Sequence, residues 1–420
     1  MNNPLTLINN DIKNERIRIT FIILIYFFFN SLFLPAGLLY TILFTPFLFF
    51  FVAKREGLNN ILPFFYITIP FAFIHYLSGV FTKDYAISYA VLFCTFIFLL
   101  AAKKLFQSYE ELVVGFMQNL ITINFIFCII AVLLLPIPAV KNALWYLPPI
   151  SKGIYGVVRL KMFTYEASYY SLLLVPLALY YLSFYLFVNK KKMIMPLLML
   201  LVPLLISFSL GVWICLGITI LLLCLIYTKR LDILTRRRIR IAAFLLFGTM
   251  TLLVIVQPGN PLFQRIRNVL NGDDYSARGR TTEAFYLAYK VAKTKSLLFG
   301  IGLGNIKTMG HSIIVKFYNN IGDNVKVSRI PNAVAETLAM FGIFGLLIRF
   351  YLQAFFFVKT KVWGNPYRMG VFIFIFIYQF TGSFLNNSVE LVLWAMAFSG
   401  AFTIFKNPTA GEDIAKSLQT

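Results

Sequence analysis

The sequence predicts an all-α polytopic membrane protein with about twelve transmembrane helices. Three observations predict it. First, 60% of the 420 residues are hydrophobic and only 13% are charged, with a mean hydropathy of +0.79. That is more apolar surface than a soluble chain of this length can bury. Second, apolar runs recur at close to the roughly 20 residues that a helix needs to cross a bilayer core. Third, the positive charges sit between those runs, mostly in alternate loops.

The expected spans run 19–35, 37–53, 61–80, 86–102, 113–137, 168–188, 193–208, 210–228, 241–257, 332–350, 369–384 and 388–405. Only "PAG" divides the first two. No internal repeat is visible, and the whole chain, 1–420, reads as a single integral membrane domain. The first 18 residues are polar and the first span follows directly, so no cleavable signal peptide is expected.

The short loops orient the spans. If Lys13, Arg16 and Arg18 are cytoplasmic, then Lys54–Arg55, Lys103–Lys104, Lys190–Lys191–Lys192, "KRLDILTRRRIR", Lys359–Lys361–Arg368 and Lys406 all fall on that same side. Both termini are then cytoplasmic. Two long loops, 138–167 and 258–331, face outward.

Those outer loops are also basic. Residues 258–331 hold Arg265, Arg267, Arg278, Arg280, Lys290, Lys293, Lys295, Lys307, Lys316, Lys326 and Arg329 against Asp273, Asp274, Glu283 and Asp323. Residues 138–167 add Lys141, Lys152, Arg159 and Lys161 before Glu166. Long loops are partly exempt from the positive-inside bias, so a merely solvated cationic surface is one reading. Two basic outer loops favour the other, an anionic partner at the outer membrane face. Charges interspersed with membrane spans do not suggest nucleic acid.

Cys94, Cys128, Cys215 and Cys224 all lie in apolar runs and read as packing residues. With only His75 and His311, no cluster has metal-ligand spacing.

The stretch "LLFGIGLGN", 297–305, looks like part of a glycine-rich nucleotide loop. A dinucleotide fingerprint needs a strand before it and a helix after it. Here "RTTEAFYLAYKVAKTKSLL" precedes it, with Phe285, Ala288, Tyr289 and Ala292 at helical spacing. That stretch reads as an amphipathic helix along the membrane interface. The glycines then serve a tight turn, or present backbone N–H groups to an anion.

Several residues are candidates for chemistry. Arg159 and Glu166 are seven apart just before the sixth span, and share a face if that stretch is helical. A guanidinium matches phosphate oxygens, and a carboxylate there either takes a proton or orients the arginine. A plain surface ion pair is the alternative. Arg278 and Arg280 stand at the start of the amphipathic helix, whose N–H groups would add to an anion site. Asn332 and Glu336 stack one turn apart entering the tenth span, where a carboxylate is a functional candidate by default. Ser207 and Ser209 read as packing between spans seven and eight. His311 is the only outer-loop histidine.

Taken together, these pieces resemble the O-antigen polymerase/ligase superfamily, over about Arg159 to Leu347. "RLKMFTYEASYYSLLL" is similar to the polymerase pattern of Arg, a short gap, then Glu-Pro-Ser opening a helix, with Ala167 in place of Pro. "RGRTTEAFYLAYKVAKTKSLLFGIGLGN" is similar to the family's Arg, amphipathic helix and final glycine-rich turn, with Ser296 in place of Pro. "PNAVAETLAMFGIFGLL" matches the third motif at Asn332, Glu336, Gly342 and Gly345, with Pro331 where ligases usually carry His. That missing His, and the Arg…Glu-x-Ser stretch, favour the Wzy-type polymerase branch over the ligase branch.

The resemblance implies a GT-C-like, inverting glycosyltransferase in the bacterial inner membrane, with its active site facing the periplasm and no metal or other cofactor. Donor and acceptor would both be oligosaccharides linked to undecaprenyl diphosphate. Membrane lipid and a chain-length regulator are the other partners it implies. It assigns Arg159, Arg278 and Arg280 to the diphosphate, with Arg265 a further candidate and Asn332 also at the substrate. Glu166 is the first choice for the acceptor proton, then Glu336 and His311. Tyr165 and Tyr169, with Tyr146, Tyr155 and Tyr170, either stack on sugars or form an interfacial belt. A twelve-span transporter is the main rival. It fits poorly, because the longest loop is external, lies between spans nine and ten, and no half-to-half symmetry is visible.

Overall fold

The computed structural model describes residues 34, 38–108, 110–148, 154, 156–188, 194–231, 233, 236–237, 241, 256–257, 259–318, 329–382 and 384–406. The expected spans at 19–35 and 241–257, and Lys13, Arg16, Arg18, Lys152, Lys190–Lys192, Asp323 and Lys326, lie wholly or almost wholly outside them.

The described chain is helical. Its helices are α1 Tyr40–Leu43, α2 Thr45–Glu56, α3 Leu62–Leu77, α4 Lys83–Ser108, α5 Glu110–Leu133, α6 Pro138–Leu144, α7 Ala167–Phe187, α8 Ile194–Ser207 and α9 Leu210–Ile226. After the ninth expected span come α10 Pro261–Asn271, α11 Tyr275–Arg280, α12 Thr282–Lys293, α13 His311–Phe317, α14 Ala333–Lys359, α15 Pro366–Tyr378 and α16 Ser388–Phe398. Among the described residues four helices (α4, α5 from Val113, α7 and α14) are long and apolar enough to cross a membrane. Six shorter apolar helices coincide with other expected spans.

Helix α7 is the axis. It is apolar all round, and a helix of that kind is buried in protein. Eighteen of its residues are buried, against α8, α9, α15 and α16. Helix α14 is the opposite case, with Leu347, Tyr351 and Val358 exposed on its long outer face.

Asparagine caps set three helix starts at or near the bundle ends. Asn332 Oδ1 accepts from Ala335 N at 2.9 Å, Asn365 Oδ1 from Arg368 N at 3.1 Å, and Asn387 Oδ1 from Val389 N at 3.0 Å. Each satisfies an amide that the first turn leaves without a helical partner.

The loop 138–167 departs from the all-α expectation. It holds the short helix α6, then an antiparallel pair of two-residue strands, β1 Trp145–Tyr146 and β2 Arg159–Leu160, with Tyr146 opposite Arg159. The stretch between Arg159 and Glu166 is therefore not helical. It turns at Met162, whose φ is +47°, and the Thr164 hydroxyl lies within hydrogen-bond distance of Lys161 O and Glu166 O.

The expected amphipathic helix forms as α12, but protein covers its apolar face. Ala284, Leu287, Ala288 and Val291 are buried with Ile301, Leu303, Ala335, Ala339 and Met340 in a second hydrophobic core, and Ala292 is buried too. Tyr289 of the expected face stays exposed.

The glycine stretch explains that core. Helix α14 is broken at Gly342 (φ +65°, ψ −160°), and 297–302 lies along the break. Ile301 N donates to Ala339 O at 3.0 Å and Gly302 N to Met340 O at 2.9 Å, while Ile343 N and Phe344 N donate to Leu297 O and Leu298 O at 3.0 and 3.1 Å. A strap thus satisfies the backbone groups that the broken helix exposes, as buried backbone requires. Gly300 has φ +76°, and a Cβ there would strike the Met340 backbone. The amides of Ile301 and Gly302 are committed to carbonyls, so the anion-cradle reading fails for them. Asn305 ties the strap's end to Val80 O, at 2.6 Å.

Candidate functional site

Elements of the two basic loops and the neighbouring helix ends close around one polar cleft of about 230 Å³. Arg159, Glu166, Arg265 and Arg280 line it together, with Tyr146, Ser168, Ser209 and Ser276. Each basic residue arrives on a different element. Arg159 sits on β2, Arg265 on α10, and Arg280 ends α11.

The three guanidiniums are held differently. Arg265 Nε donates to Asp274 Oδ2 at 3.3 Å, and its Nη1 to Phe208 O at 3.4 Å. Asp274 is fully buried and also caps α11 through Ala277 N at 2.9 Å. Arg280 Nη2 donates to Glu166 Oε1 at 3.3 Å. Arg159 has neither arrangement. It is 8% exposed, its guanidinium lies 4.6 Å over the Tyr146 ring, and its buried Nε has no hydrogen-bond partner among the described residues. Among the described residues two carboxylates, Glu166 and Asp274, thus face three cations, and Arg159 is the one left without a carboxylate.

The electrostatics follow. Burial, then the Arg265 charge, pushes the Arg159 guanidinium below its ordinary range. Burial also pushes Arg265 down, with Asp274 offsetting part of it. Burial is the largest influence on Arg280 and works against its charge, but Glu166, Tyr378 and Tyr146 together more than offset it and hold that group above its ordinary range. Gathering like charges in a partly dry cleft costs free energy that an incoming anion would recover.

Glu166 precedes the first turn of α7, where the helix dipole favours a carboxylate. Ser168 Oγ donates to its Oε1 at 2.6 Å. Oε1 therefore takes two donors, and among the described residues Oε2 takes none.

The other candidates stand apart from the cleft. Arg278 is half-exposed, pairs with Glu283 and donates to Gly272 O at 3.1 Å. Two residues from Arg280 on the short helix α11, it faces another way. Glu336 is fully buried and both its oxygens are occupied. Arg329 Nε donates to Oε1 at 2.8 Å and Leu385 N to Oε2 at 2.6 Å. It therefore seats the loop between α15 and α16. His311 opens α13, beside α12, and does not line the cleft. Asn332 acts through the backbone: its Nδ2 donates to Arg280 O at 2.8 Å and to Phe380 O at 2.6 Å. Tyr165 and Tyr169 line an adjoining recess with Tyr378 and Phe384.

Sequence reading missed Ser168, Ser276, Tyr378, Phe384 and Asn387. The last two lie in "GSFLNNS", a polar stretch between the last two spans that sits at the same end as the basic loops. It also missed a buried ion pair. Arg349 of α14 pairs with Glu390 of α16, and its Nε donates to Gln379 Oε1 at 2.9 Å. Charges inside apolar runs were the available signal.

No family model matches the chain, and no curated protein matches its sequence.

Proposed function

We propose that this protein transfers an oligosaccharide from a lipid diphosphate carrier to a second lipid-linked oligosaccharide, as O-antigen polymerases do. The observation that carries the reading is Arg159: a buried guanidinium, its Nε without a partner among the described residues, lining one cleft with Arg265 and Arg280 beside Glu166.

That arrangement suits a diphosphate leaving group. As the glycosidic bond breaks, negative charge gathers on the departing diphosphate. Guanidiniums already in place stabilise that charge without reorganising, and their forked donors match phosphate oxygens. Glu166 is the carboxylate on the same wall, and its Oε2, which takes no donor among the described residues, would receive the acceptor hydroxyl proton. The ion pair in the membrane, Arg349–Glu390, lies outside this cleft and holds α14 to α16. On this reading the loop end of the bundle faces the periplasm and the membrane is the bacterial inner membrane.

The test is glycan chain length in cells deleted for the protein and complemented with wild type, Arg159→Ala or Arg278→Ala. A ladder with wild type and with Arg278→Ala, and a single repeat unit with the deletion and with Arg159→Ala at normal expression, is the expected result. Bare core with polymer held on the carrier in the deletion would make the protein a ligase. Bare core without carrier-linked polymer would overturn the reading.

A further inference from the structure

The cationic cleft shares a wall with a second space. Glu166, Ser168 and Arg280 line both. The second space is a recess of only about 20 Å³, room for about one water-sized group. Away from the shared wall its lining is largely apolar and aromatic, including Tyr169, Leu172, Tyr378 and Phe384. Tyr165 also lines it, yet 43% of that residue stays exposed, with its ring 4.8 Å from the Tyr169 ring.

The two volumes divide the labour. A diphosphate with its substituents does not fit a recess that holds one water. A single alcohol does, and it would stand beside the one carboxylate common to both spaces. An alcohol on a sugar ring also presents an apolar C–H face, and Tyr165 offers an exposed aromatic surface to receive it.

We infer that the recess is the acceptor subsite: one sugar hydroxyl enters it beside Glu166 while its ring lies on Tyr165. This rests on the glycosyl-transfer reading. The hydroxyl oxygen then attacks the donor's anomeric carbon, and the bond from that carbon to the diphosphate oxygen breaks. The bonding pair leaves on the diphosphate, held by Arg159, Arg265 and Arg280, and the hydroxyl proton passes to Glu166. Atoms and charge balance with no further reactant.

The experiment separates the two spaces by binding. Purified wild type, Tyr165→Ala, Tyr165→Phe and Arg159→Met are titrated with inorganic diphosphate and, separately, with the repeat-unit oligosaccharide released from its carrier. Tyr165→Ala should weaken oligosaccharide binding about 5- to 10-fold, a stacking loss of about 1 kcal/mol, and leave diphosphate binding unchanged. Tyr165→Phe should bind both as wild type does. Arg159→Met should lose diphosphate and keep the oligosaccharide. Unchanged oligosaccharide binding by Tyr165→Ala, with wild-type diphosphate binding intact, would overturn the acceptor subsite alone. Loss of both ligands in either variant would also overturn it, since the spaces would then be one site. Failure of wild type to bind diphosphate would remove the glycosyl-transfer reading and the subsite with it.

Discussion

Glu166 and Arg280, 114 residues apart, meet at 3.3 Å on the wall between the cleft and its recess. The pair joins the two basic loops, since Glu166 closes the first and Arg280 lies within the second. Glu166 Oε1 is occupied by Arg280 and Ser168, while Oε2 takes no donor among the described residues. A diphosphate that engaged Arg280 would loosen that pair and release the carboxylate. Glu166→Gln should therefore cut transfer at least 100-fold, on the scale of a lost general base, while diphosphate binding stays the same or tightens as a negative charge leaves the cleft. Steady-state transfer and diphosphate titration measure the two effects.

Arg159 lets activity be separated from stability. It is buried and pairs with no carboxylate among the described residues, so Arg159→Met removes a poorly compensated charge and keeps much of the volume. Unfolding free energy in detergent should be unchanged or higher by up to about 2 kcal/mol. Transfer should fall about 100- to 1,000-fold, the usual loss for one preorganised donor to a developing anion. A destabilised variant would mean that Arg159 is a structural residue.

The pH dependence has a definite sign. Arg159 and Arg265 are bases whose folded-state pKa lies below the ordinary arginine value. Their cost to stability is fully present below that folded pKa, and is relieved only as pH rises towards the unfolded value. Below that folded value both stay charged, so they contribute no slope to stability there. An anion relieves the cost instead. Inorganic diphosphate at about 100 times its Kd should stabilise wild type by about 2.7 kcal/mol, and Arg159→Met by less. Thermal unfolding against ligand concentration reads this directly.

Asn332 should matter for stability through three hydrogen bonds, to Ala335 N, Arg280 O and Phe380 O. Asn332→Ala loses all three in a fully buried setting and should cost about 2–4 kcal/mol. Asn332→Asp keeps the cap and loses the two donated bonds, so it should still be clearly destabilised. Urea or thermal unfolding in detergent compares them.

Gly342 and Gly300 test the strap. Each has positive φ, and a Cβ at Gly342 would strike the Leu298 backbone, as one at Gly300 would strike that of Met340. Gly342→Ala or Gly300→Ala should separate the strap from the broken helix and cost at least about 2 kcal/mol. Loss of the monodisperse peak on size-exclusion chromatography is the expected result. An undisturbed peak with wild-type stability would refute the tight approach.

Much of the fold was legible because hydropathy is local. A run of apolar side chains must be helical in lipid and must be long enough to cross, whatever its neighbours do. Ten of the expected spans accordingly coincide with described apolar helices. The break in α14 was not legible, because Gly342 is tolerable in a continuous helix until a strap arrives to satisfy the opened backbone. The covering of α12 was equally hidden, since an amphipathic face fits protein as well as a membrane interface.

Composition, hydropathy and motif order were enough to establish a helical membrane architecture, two basic loops, and a short set of arginines and acids worth suspecting. Which of them converge was a matter of folding. Arg278 and Arg280 are near-identical in sequence context, yet two positions on a helix point in different directions. Only the packing of α11 turns Arg280 towards Glu166 and leaves Arg278 to Glu283. Glu336 looked free until Arg329 and Leu385 N filled its oxygens. A charge's role depends on what lies within a few ångströms of it, and for these residues those neighbours come from elements distant in the chain.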